Sequence, residues 1–332
     1  MPYLNLPSVP LQLIFDHLEF ADLFHISLFS PRIAQLIGFY TRFDPNSRIT
    51  FVKHDGKVSI NIYPGTIEQS LVIELKSSDE LEDQSPERII DFYGFKICME
   101  PHVTCSGLLH SSCEVYSSDF LAFQTKFLAH TLQLFHQPPK VKLLMQSSDI
   151  LTHPFWSHGK KLSHLIVQKS ADKKMLAVEE AKFLLEKVQV SKFFSLEVGV
   201  QAGFEHSEGF KVRKMLVEHA SWVNLKSVIN SESEVIRLKN CRKPTGSQVC
   251  RLLRKWMRME KMVDLEEFTM KLSPLTYMKE DFHERIEQEF GSNPFKSCMV
   301  LTRIDGREAI VKSSSSEFSF SLSPNQPFDN DD

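Results

Sequence analysis

Three cysteines and two histidines in one short stretch are the residues best suited to chemistry. Cys98, His102, Cys105, His110 and Cys113 fall within sixteen residues, and thiolates and imidazoles are the side chains that bind Zn²⁺ in tetrahedral sites. Their spacing matches no common zinc finger, and the chain contains no Cys-x-x-Cys pair. We therefore predict no metal or other cofactor, and interpret the group as buried thiols beside loop histidines.

A second group, His153 and His158 around Phe155-Trp156, contains residue types found in catalytic pairs. Two adjacent aromatic rings at a helix start are more typical of a packing anchor, and we interpret them so. The chain has no Gly-x-Gly-x-x-Gly, phosphate loop, Gly-x-Ser-x-Gly or His-Glu-x-x-His motif. The sequence predicts a protein that is not an enzyme, with no catalytic or cofactor-binding residues.

Composition restricts the partners and the compartment. The 332 residues carry a net charge of −3 and no polybasic block, so neither nucleic acid nor an anionic membrane is predicted as a partner. No apolar run approaches the roughly 20 residues of a membrane span, and no secretory signal precedes Asp16. Six cysteines in such a chain indicate reduced thiols. We expect a cytoplasmic or nuclear protein that is neither secreted nor membrane-bound.

Apolar residues near the N-terminus predict three short helices in residues 1–42. Leu11, Ile14, Phe15 and Leu18 follow the helical period, and Ile33, Leu36 and Ile37 follow Ser30-Pro31. We expect the Ser30 side chain to cap the third helix and Pro31 to occupy its first turn. A segment this short needs another surface to complete its core. It is either a docking module or a helical cap on the domain that follows.

Residues Leu6 to Ile37 resemble an F-box. The resemblance consists of the opening Leu6-Pro7, a first helix of Leu, Ile and Phe residues, Asp22-Leu23 at the start of the middle helix, and a third helix after a loop. Leu11-Gln12 replaces the Glu common in the first helix. Phe39 and Tyr40 are the nearest aromatic residues to the position where the motif usually has Trp.

Residues 48–137 have the pattern of a strand-rich segment closed by a helix. Two alternating apolar runs flank Asp55-Gly56, which predicts a hairpin. Further strands are predicted at 71–75 and 95–99, an exposed loop at 77–87, and a buried helix from Asp119 to about His136.

Strand and helix patterns alternate in residues 141–323. Leu-x-Val-like runs recur at Leu165, Leu196, Ile236 and Phe268, with amphipathic helices at 178–188 and 249–257, the second introduced by a capping box at Thr245 and Gln248. A hairpin is predicted around Asp305-Gly306, a last strand at 318–322, and a disordered tail at 324–332. Strand–helix units at this spacing predict an irregular leucine-rich-repeat-like solenoid, and a single open parallel sheet is the alternative. The fold class is therefore α/β, or α+β over the whole chain.

The second half of the chain resembles the type-2 F-box-associated domain of a large nematode family. The resemblance, from about Val141 to Leu322, rests on the runs 234–240, 248–256, 265–268 and 303–309 in that order. It implies a substrate-recognition subunit of an SCF-type ubiquitin ligase. The F-box would bind a Skp-type adaptor and through it a cullin scaffold, and the later domain would bind a target protein.

The F-box resemblance also assigns the residues that contact the adaptor. They are Leu6, Pro7, Leu11, Ile14, Leu18, Leu23 and Ile26, each of which could instead belong to the core of the three-helix unit.

The alternative function is a non-ligase interaction scaffold with a degenerate F-box. Arg251, Arg254, Lys255 and Arg258 form a basic helix face, interpreted as solvated or as a contact for an acidic stretch of the target.

Overall fold

The computed structural model of the chain divides into two compact units, residues 1–163 and 164–332. The residues that it describes are 8–41, 43, 46–54, 57–65, 69–76, 89–99, 103–105, 108–135, 139–148, 150–157, 159–242, 244–272, 285–286, 288–291, 298–314 and 316–322. The predicted loop at 77–87 and the predicted tail at 324–332 lie outside them. Within these ranges, no helix has the length and apolar character needed to cross a membrane.

The first unit begins with the three predicted helices and continues as a mixed sheet. Its helices are α1 (Ser8–Asp16), α2 (Phe20–Leu28), α3 (Pro31–Tyr40) and α4 (Phe120–Leu134). Its strands are β1 (Arg48–His54), β2 (Lys57–Tyr63), β3 (Gln69–Lys76), β4 (Ile89–Phe92), β5 (Phe95–Met99), β6 (Val103–Cys105), β7 (Leu108–Tyr116) and β8 (Lys140–Gln146). The strand order is β8-β1-β2-β3-β7-β5-β4, with β6 beside β7.

Local sequence signals account for several of these elements. His54 pairs with Lys57, which confirms the hairpin predicted at Asp55-Gly56. Asp119 accepts a hydrogen bond from the Ala122 amide (2.9 Å) and begins α4 as predicted. Alternate residues of β8 are buried, as expected for a strand with one face on a core. The strands β4, β6, β7 and β8 were not predicted.

Two details of the helical predictions were wrong. Pro31 does occupy the first turn of α3, but the Ser30 side chain makes no capping hydrogen bond. The helix α1 ends at Asp16, so Leu18 lies beyond it rather than in its last turn.

The second unit consists mainly of neighbouring parallel strands followed by an antiparallel end. Its strands are β9 (Lys161–Gln168, within which the division falls), β10 (Met175–Leu176), β11 (Gln189–Leu196), β12 (Gly199–Val200), β13 (Lys214–Val217), β14 (Val235–Cys241), β15 (Glu267–Leu272), β16 (Cys298–Thr302), β17 (Glu308–Ser313) and β18 (Glu317–Leu322). The sheet order is β9-β11-β13-β14-β15-β18-β17-β16, and β10 pairs with β12 separately. The helices are α5 (Val178–Lys182), continued by a π-helix at Phe183–Lys187, α6 (Leu225–Ile229) and α7 (Gly246–Met257).

The four recurring runs of the second unit all form strands. A further strand, which was not predicted, lies between two of them. β13 lies between β11 and β14, and its register pairs Leu196 with Val217 and Val217 with Leu238. Residues 21 apart therefore stand side by side, as Arg213 and Glu234 also do. The 40 residues from Leu196 to Ile236 therefore include one further strand, β13. Whether this segment is a solenoid stays a prediction.

Helix and hairpin signals in the second unit agree with the structure. Thr245 and Gln248 form a reciprocal capping box at the start of α7, and Trp256 is fully buried within that helix. Thr302 pairs with Glu308 around the predicted turn, where Gly306 has φ +88°. A positive φ of this size favours glycine.

Candidate functional site

The first unit presents a three-helix surface, formed by α1, α2 and α3, whose inner face is apolar. In α2 the buried side chains include Phe20, Leu23 and Phe24, and in α3 they include Ile33 and Ile37. These positions follow the helical period, so each helix turns one stripe inward.

The helix α4 is the platform on which these inner faces pack. Phe24 lies 5.5 Å from Phe127, measured between ring centroids, and Phe20 lies 6.0 Å from Phe135. The other side of α4 meets the sheet, where Phe92 contacts Phe123 at 6.5 Å. The prediction of a buried helix after Asp119 is therefore confirmed.

A polar contact lies within the interface between α2 and α4. His130 Nε2 is 2.8 Å from Ser27 Oγ, and the Ser27 hydroxyl also donates to the Phe24 carbonyl. The imidazole packs against the rings of Phe24 and Phe92, at 6.2 and 5.0 Å. Burial lowers the pKa of His130 to about 4, because a charged imidazolium would lose its hydration there.

The contact between α3 and α4 depends on a glycine. A Cβ atom at Gly38 would lie 2.0 Å from the backbone carbonyl oxygen of Gln133. Only a residue without a side chain permits this approach, so Gly38 sets how closely the two helices can meet.

Large apolar side chains remain exposed on the three-helix surface. The exposed fractions are 55% for Leu13, 42% for Ile14, 59% for Phe29 and 71% for Phe39. Single exposed apolar residues are ordinary on proteins, and these four fall within about thirty residues of one another along the chain.

The seven residues assigned to adaptor contact by resemblance fall into three groups. Leu6 and Pro7 lie outside the described residues. Leu11 and Leu23 are buried in the helical core, with exposed fractions of 5% and 2%. Ile14 is exposed, and Leu18 and Ile26 are partly exposed.

Sequence reasoning missed Leu13, Phe29 and Phe39 as exposed apolar residues. Leu13-Ile14-Phe15 is a run of three apolar residues in a helix, and α1 buries Phe15 but neither of the other two. Because one helix face cannot bury three successive residues, such a run indicates that some of them point outward. The sequence contained this signal for Leu13, but none for Phe29 or Phe39.

Only part of the candidate zinc-binding group lies among the described residues. Cys113 is buried, His102 lies outside the described residues, and the side chains of Cys98, Cys105 and His110 are not described. The backbone register pairs Cys98 with Glu114 and Met99 with Cys113, so the two cysteines are not partners in the ladder. Among the described side chains, no group of three or more metal-binding residues occurs. The absence of a metal site stays a prediction.

The aromatic pair at 155–156 packs as interpreted. Phe155 is buried and lies 6.3 Å from Phe51, and the Trp156 indole donates a 2.6 Å hydrogen bond to the Ile150 carbonyl.

Comparison with protein families identifies the three-helix surface. Residues 3–39 match the F-box domain. Neither the curated proteins nor the solved structures contain a match to this chain. F-box domains in general bind Skp1-type adaptors, and F-box proteins are generally adaptors rather than enzymes. The F-box therefore suggests a role in ubiquitin-ligase substrate recognition or in another protein interaction.

Proposed function

We propose that this chain is a substrate-recognition subunit of an SCF-type ubiquitin ligase. Its F-box would bind a Skp-type adaptor that links it to a cullin scaffold, and its second half would bind a target protein. The observation that carries the proposal is the F-box match at residues 3–39 together with apolar side chains left exposed on those helices. Helix-in-groove interfaces use such aliphatic and aromatic anchors.

The adaptor surface that we propose differs in part from the one implied by resemblance alone. Leu11 and Leu23 would act from within the core, by holding α1 and α2 in place. Leu13 and Ile14 would make direct contact, with Leu18 and Ile26 at the margin. Leu6 and Pro7 keep the assignment made by resemblance.

For the rest of the chain we propose the domains that the sequence predicts. Residues 48–137 would form a strand-rich connecting segment, and residues 141–323 a type-2 F-box-associated domain with an irregular solenoid. Support for the solenoid comes from parallel pairing between residues 21 apart in β11, β13 and β14. That separation lies within the 20–29 residues of leucine-rich repeats.

A non-ligase interaction scaffold is the second candidate. It is favoured by the departures of the F-box from its usual pattern, namely Leu11-Gln12 in the first helix and Phe39-Tyr40 in place of Trp. Because these departures leave the helices intact, only a measurement of adaptor binding can distinguish the two candidate functions.

The experiment is a titration of the full chain with purified Skp-type adaptor, comparing the parent with the Ile14→Asp and Leu13→Asp variants. We expect each Asp variant to bind at least about 30-fold more weakly, since losing a buried anchor costs about 2 kcal/mol or more.

Leu121→Asp is the matched control. Leu121 is 51% exposed but lies on α4 rather than on the F-box helices, so this variant should bind like the parent. Equal circular dichroism and melting temperature must be shown for all variants. A well-folded parent that binds no adaptor paralogue would leave the scaffold as the better proposal.

A further inference from the structure

The strand β16 lies at the edge of the sheet in the second unit. Among the described residues its one hydrogen-bonded neighbour is β17, with Val300 opposite Ile310 and Thr302 opposite Glu308. An edge strand leaves backbone N–H and C=O groups without ladder partners along its outer side. Such a strand can pair with a strand of another molecule, and natural edges usually carry a feature that prevents this.

The strand β16 has none of three such features, namely charge, proline and a bulge. Its five residues, Cys298–Thr302, include no charged residue and no proline. Its register with β17 is unbroken, so it contains no bulge. By contrast β4, at an edge of the sheet in the first unit, carries Asp91 paired with Lys96 at 2.8 Å. The edge at β16 is therefore unusually open to pairing.

The hairpin after β16 fixes which backbone groups face outward. The Arg303 amide donates a 2.8 Å hydrogen bond to the Arg307 carbonyl, so Arg303 turns its backbone groups toward β17. Successive residues of an antiparallel strand turn these groups alternately to opposite sides. Because the register is unbroken, the residues whose N–H and C=O groups point to the outer edge are Cys298, Val300 and Thr302.

A second copy of the same strand complements this pattern. In an antiparallel pairing centred on Val300, the two Val300 residues stand opposite each other, and Thr302 stands opposite Cys298 of the second copy. All of these residues have outward-facing backbone groups, so each would donate one hydrogen bond and accept one across the new pair of strands. The register that overlaps the whole strand is therefore also the register that pairs every outward group.

The side chains agree with this pairing on both faces of the sheet. Val300 is 57% exposed, and the Val300 of the second copy would lie directly against it. On the opposite face, the half-buried Met299 would lie beside Leu301 of the second copy, which is itself buried. Self-pairing would thus cover an exposed apolar side chain and extend the core from one copy into the other.

The charges beside the strand are arranged so that opposite signs fall in the same row. Lys312 stands opposite Cys298 and Glu308 stands opposite Thr302, and both charged side chains are exposed. Since Thr302 would meet Cys298 of the second copy, each row across the two copies has Glu308 at one end and Lys312 at the other. Like charges directly opposite each other destabilise a strand pair, and this arrangement has none.

We propose that the chain forms a two-fold symmetric homodimer by antiparallel pairing of β16 with β16 of a second copy. A two-fold interface uses the same surface on both copies, so it requires a self-complementary surface. The uncharged strand β16, with its outward groups centred on Val300, provides one. The proposal concerns the second unit and does not depend on the F-box or on adaptor binding.

The test is sedimentation equilibrium of the full chain in reducing buffer, over about 1 to 100 μM. We expect the weight-average mass to rise with concentration from that of one chain toward that of two. Hydrogen exchange over the same range should slow at the amides of Val300 and Thr302, which would become bonded in the dimer. Exchange at the amides of Met299 and Leu301, which face β17 in both states, should change much less.

Charged variants assign the association to this strand. Val300→Lys and Val300→Glu would each place like charges opposite each other, and each should weaken self-association at least about tenfold. A mixture of these two variants should associate again, because Lys would then face Glu. Met175→Lys is the matched control, because Met175 is 47% exposed on β10, outside the sheet that contains β16, and this variant should associate like the parent.

Several results would overturn the proposal. They are a parent that is folded by circular dichroism but stays monomeric at the highest concentration, equal weakening by Val300→Lys and Met175→Lys, or no association between the Lys and Glu variants. Slow exchange of the Val300 amide in a monomeric parent would show instead that another part of the chain covers this edge. Adaptor binding measured on the same preparations tests the proposed function separately.

Discussion

At the scale of single residues, His130 shows how a polar side chain is kept inside an apolar interface. The ring lies between Phe24 and Phe92 and has Ser27 Oγ within hydrogen-bond distance. Because the Ser27 hydroxyl donates to the Phe24 carbonyl, it accepts from the Nε2–H of the neutral imidazole, whereas the charged form would be buried without a counter-ion. Burial therefore favours the neutral form and lowers the pKa of His130 to about 4, below the ordinary 6.5.

This pKa predicts that acid destabilises the first unit. Between pH 6.5 and about 4 the unfolded chain binds a proton at His130 that the folded chain does not, so the free energy of unfolding decreases as the pH falls. The full loss for this shift is about 3 kcal/mol. Urea unfolding followed by circular dichroism at several pH values should show the decrease in the free energy of unfolding. The decrease should be smaller in the His130→Gln variant.

His206 contributes in the same direction, because burial also lowers its pKa. The quantity to compare between the parent and His130→Gln is therefore the change in the free energy of unfolding with pH. His17→Gln, at an exposed position of the F-box, is the matched control. A pH dependence that is the same in the parent and in His130→Gln would contradict the assignment.

At the scale of elements, local signals in the sequence explain where helices begin and where chains turn, but not how the elements approach each other. Asp119 and the pair Thr245 and Gln248 cap α4 and α7 as predicted. The approach of α3 to α4 depends instead on Gly38 and the Gln133 carbonyl. In sequence, Gly38 is only a residue that weakens a helix.

The effect of Gly38→Ala on the free energy of unfolding should therefore be opposite in sign to the effect expected from helix propensity. In an exposed helix the change stabilises by about 1 kcal/mol, but here the new methyl group would collide with backbone. We expect a net loss of about 2 kcal/mol in the free energy of unfolding, measured by urea denaturation. Gly159→Ala is the control, because a Cβ there meets nothing within 4 Å. Equal stability of Gly38→Ala and the parent would show that the helices can separate without cost.

At the scale of the whole chain, the part of the second unit from β11 to β14 contains repeated contacts between residues 21 apart. Phe210 N donates to Ser231 Oγ at 3.0 Å, and Lys239 pairs with Glu218 at 2.7 Å. One residue before the first of these contacts, Gly209 approaches the Asn230 backbone so closely that a Cβ would lie 1.8 Å from its carbonyl oxygen. Segments whose residues lie 21 apart in sequence are therefore in close contact here.

Gly209→Ala tests this close contact. The added methyl group must push the segments at Gly209 and Asn230 apart, and we expect the free energy of unfolding to fall by about 3 kcal/mol. Gly199→Ala is the control within the same unit, since its nearest neighbours lie 3.8 Å away. Thermal unfolding of the two variants beside the parent measures the difference. A melting temperature unchanged in Gly209→Ala would mean that these segments are not in close contact.

Patterns in the sequence determined the elements that depend on near neighbours along the chain. The F-box helices, the hairpins at Asp55-Gly56 and Asp305-Gly306, and the capped starts of α4 and α7 all follow from periodicity and turn chemistry. Each is stabilised by residues within a few positions of one another, so one stretch of sequence contains the necessary information.

The tertiary structure alone decided the features that depend on distant partners. β13 has only four residues and β7 is interrupted by the polar run His110-Ser111-Ser112, and each forms because neighbouring strands complete its hydrogen bonds. The exposure of Phe39 and Ile304, against the burial of Leu11 and Leu23, likewise follows from which surfaces other elements cover. An apolar residue in a sequence can serve a core or an interface equally well, because the same hydrophobic effect drives both.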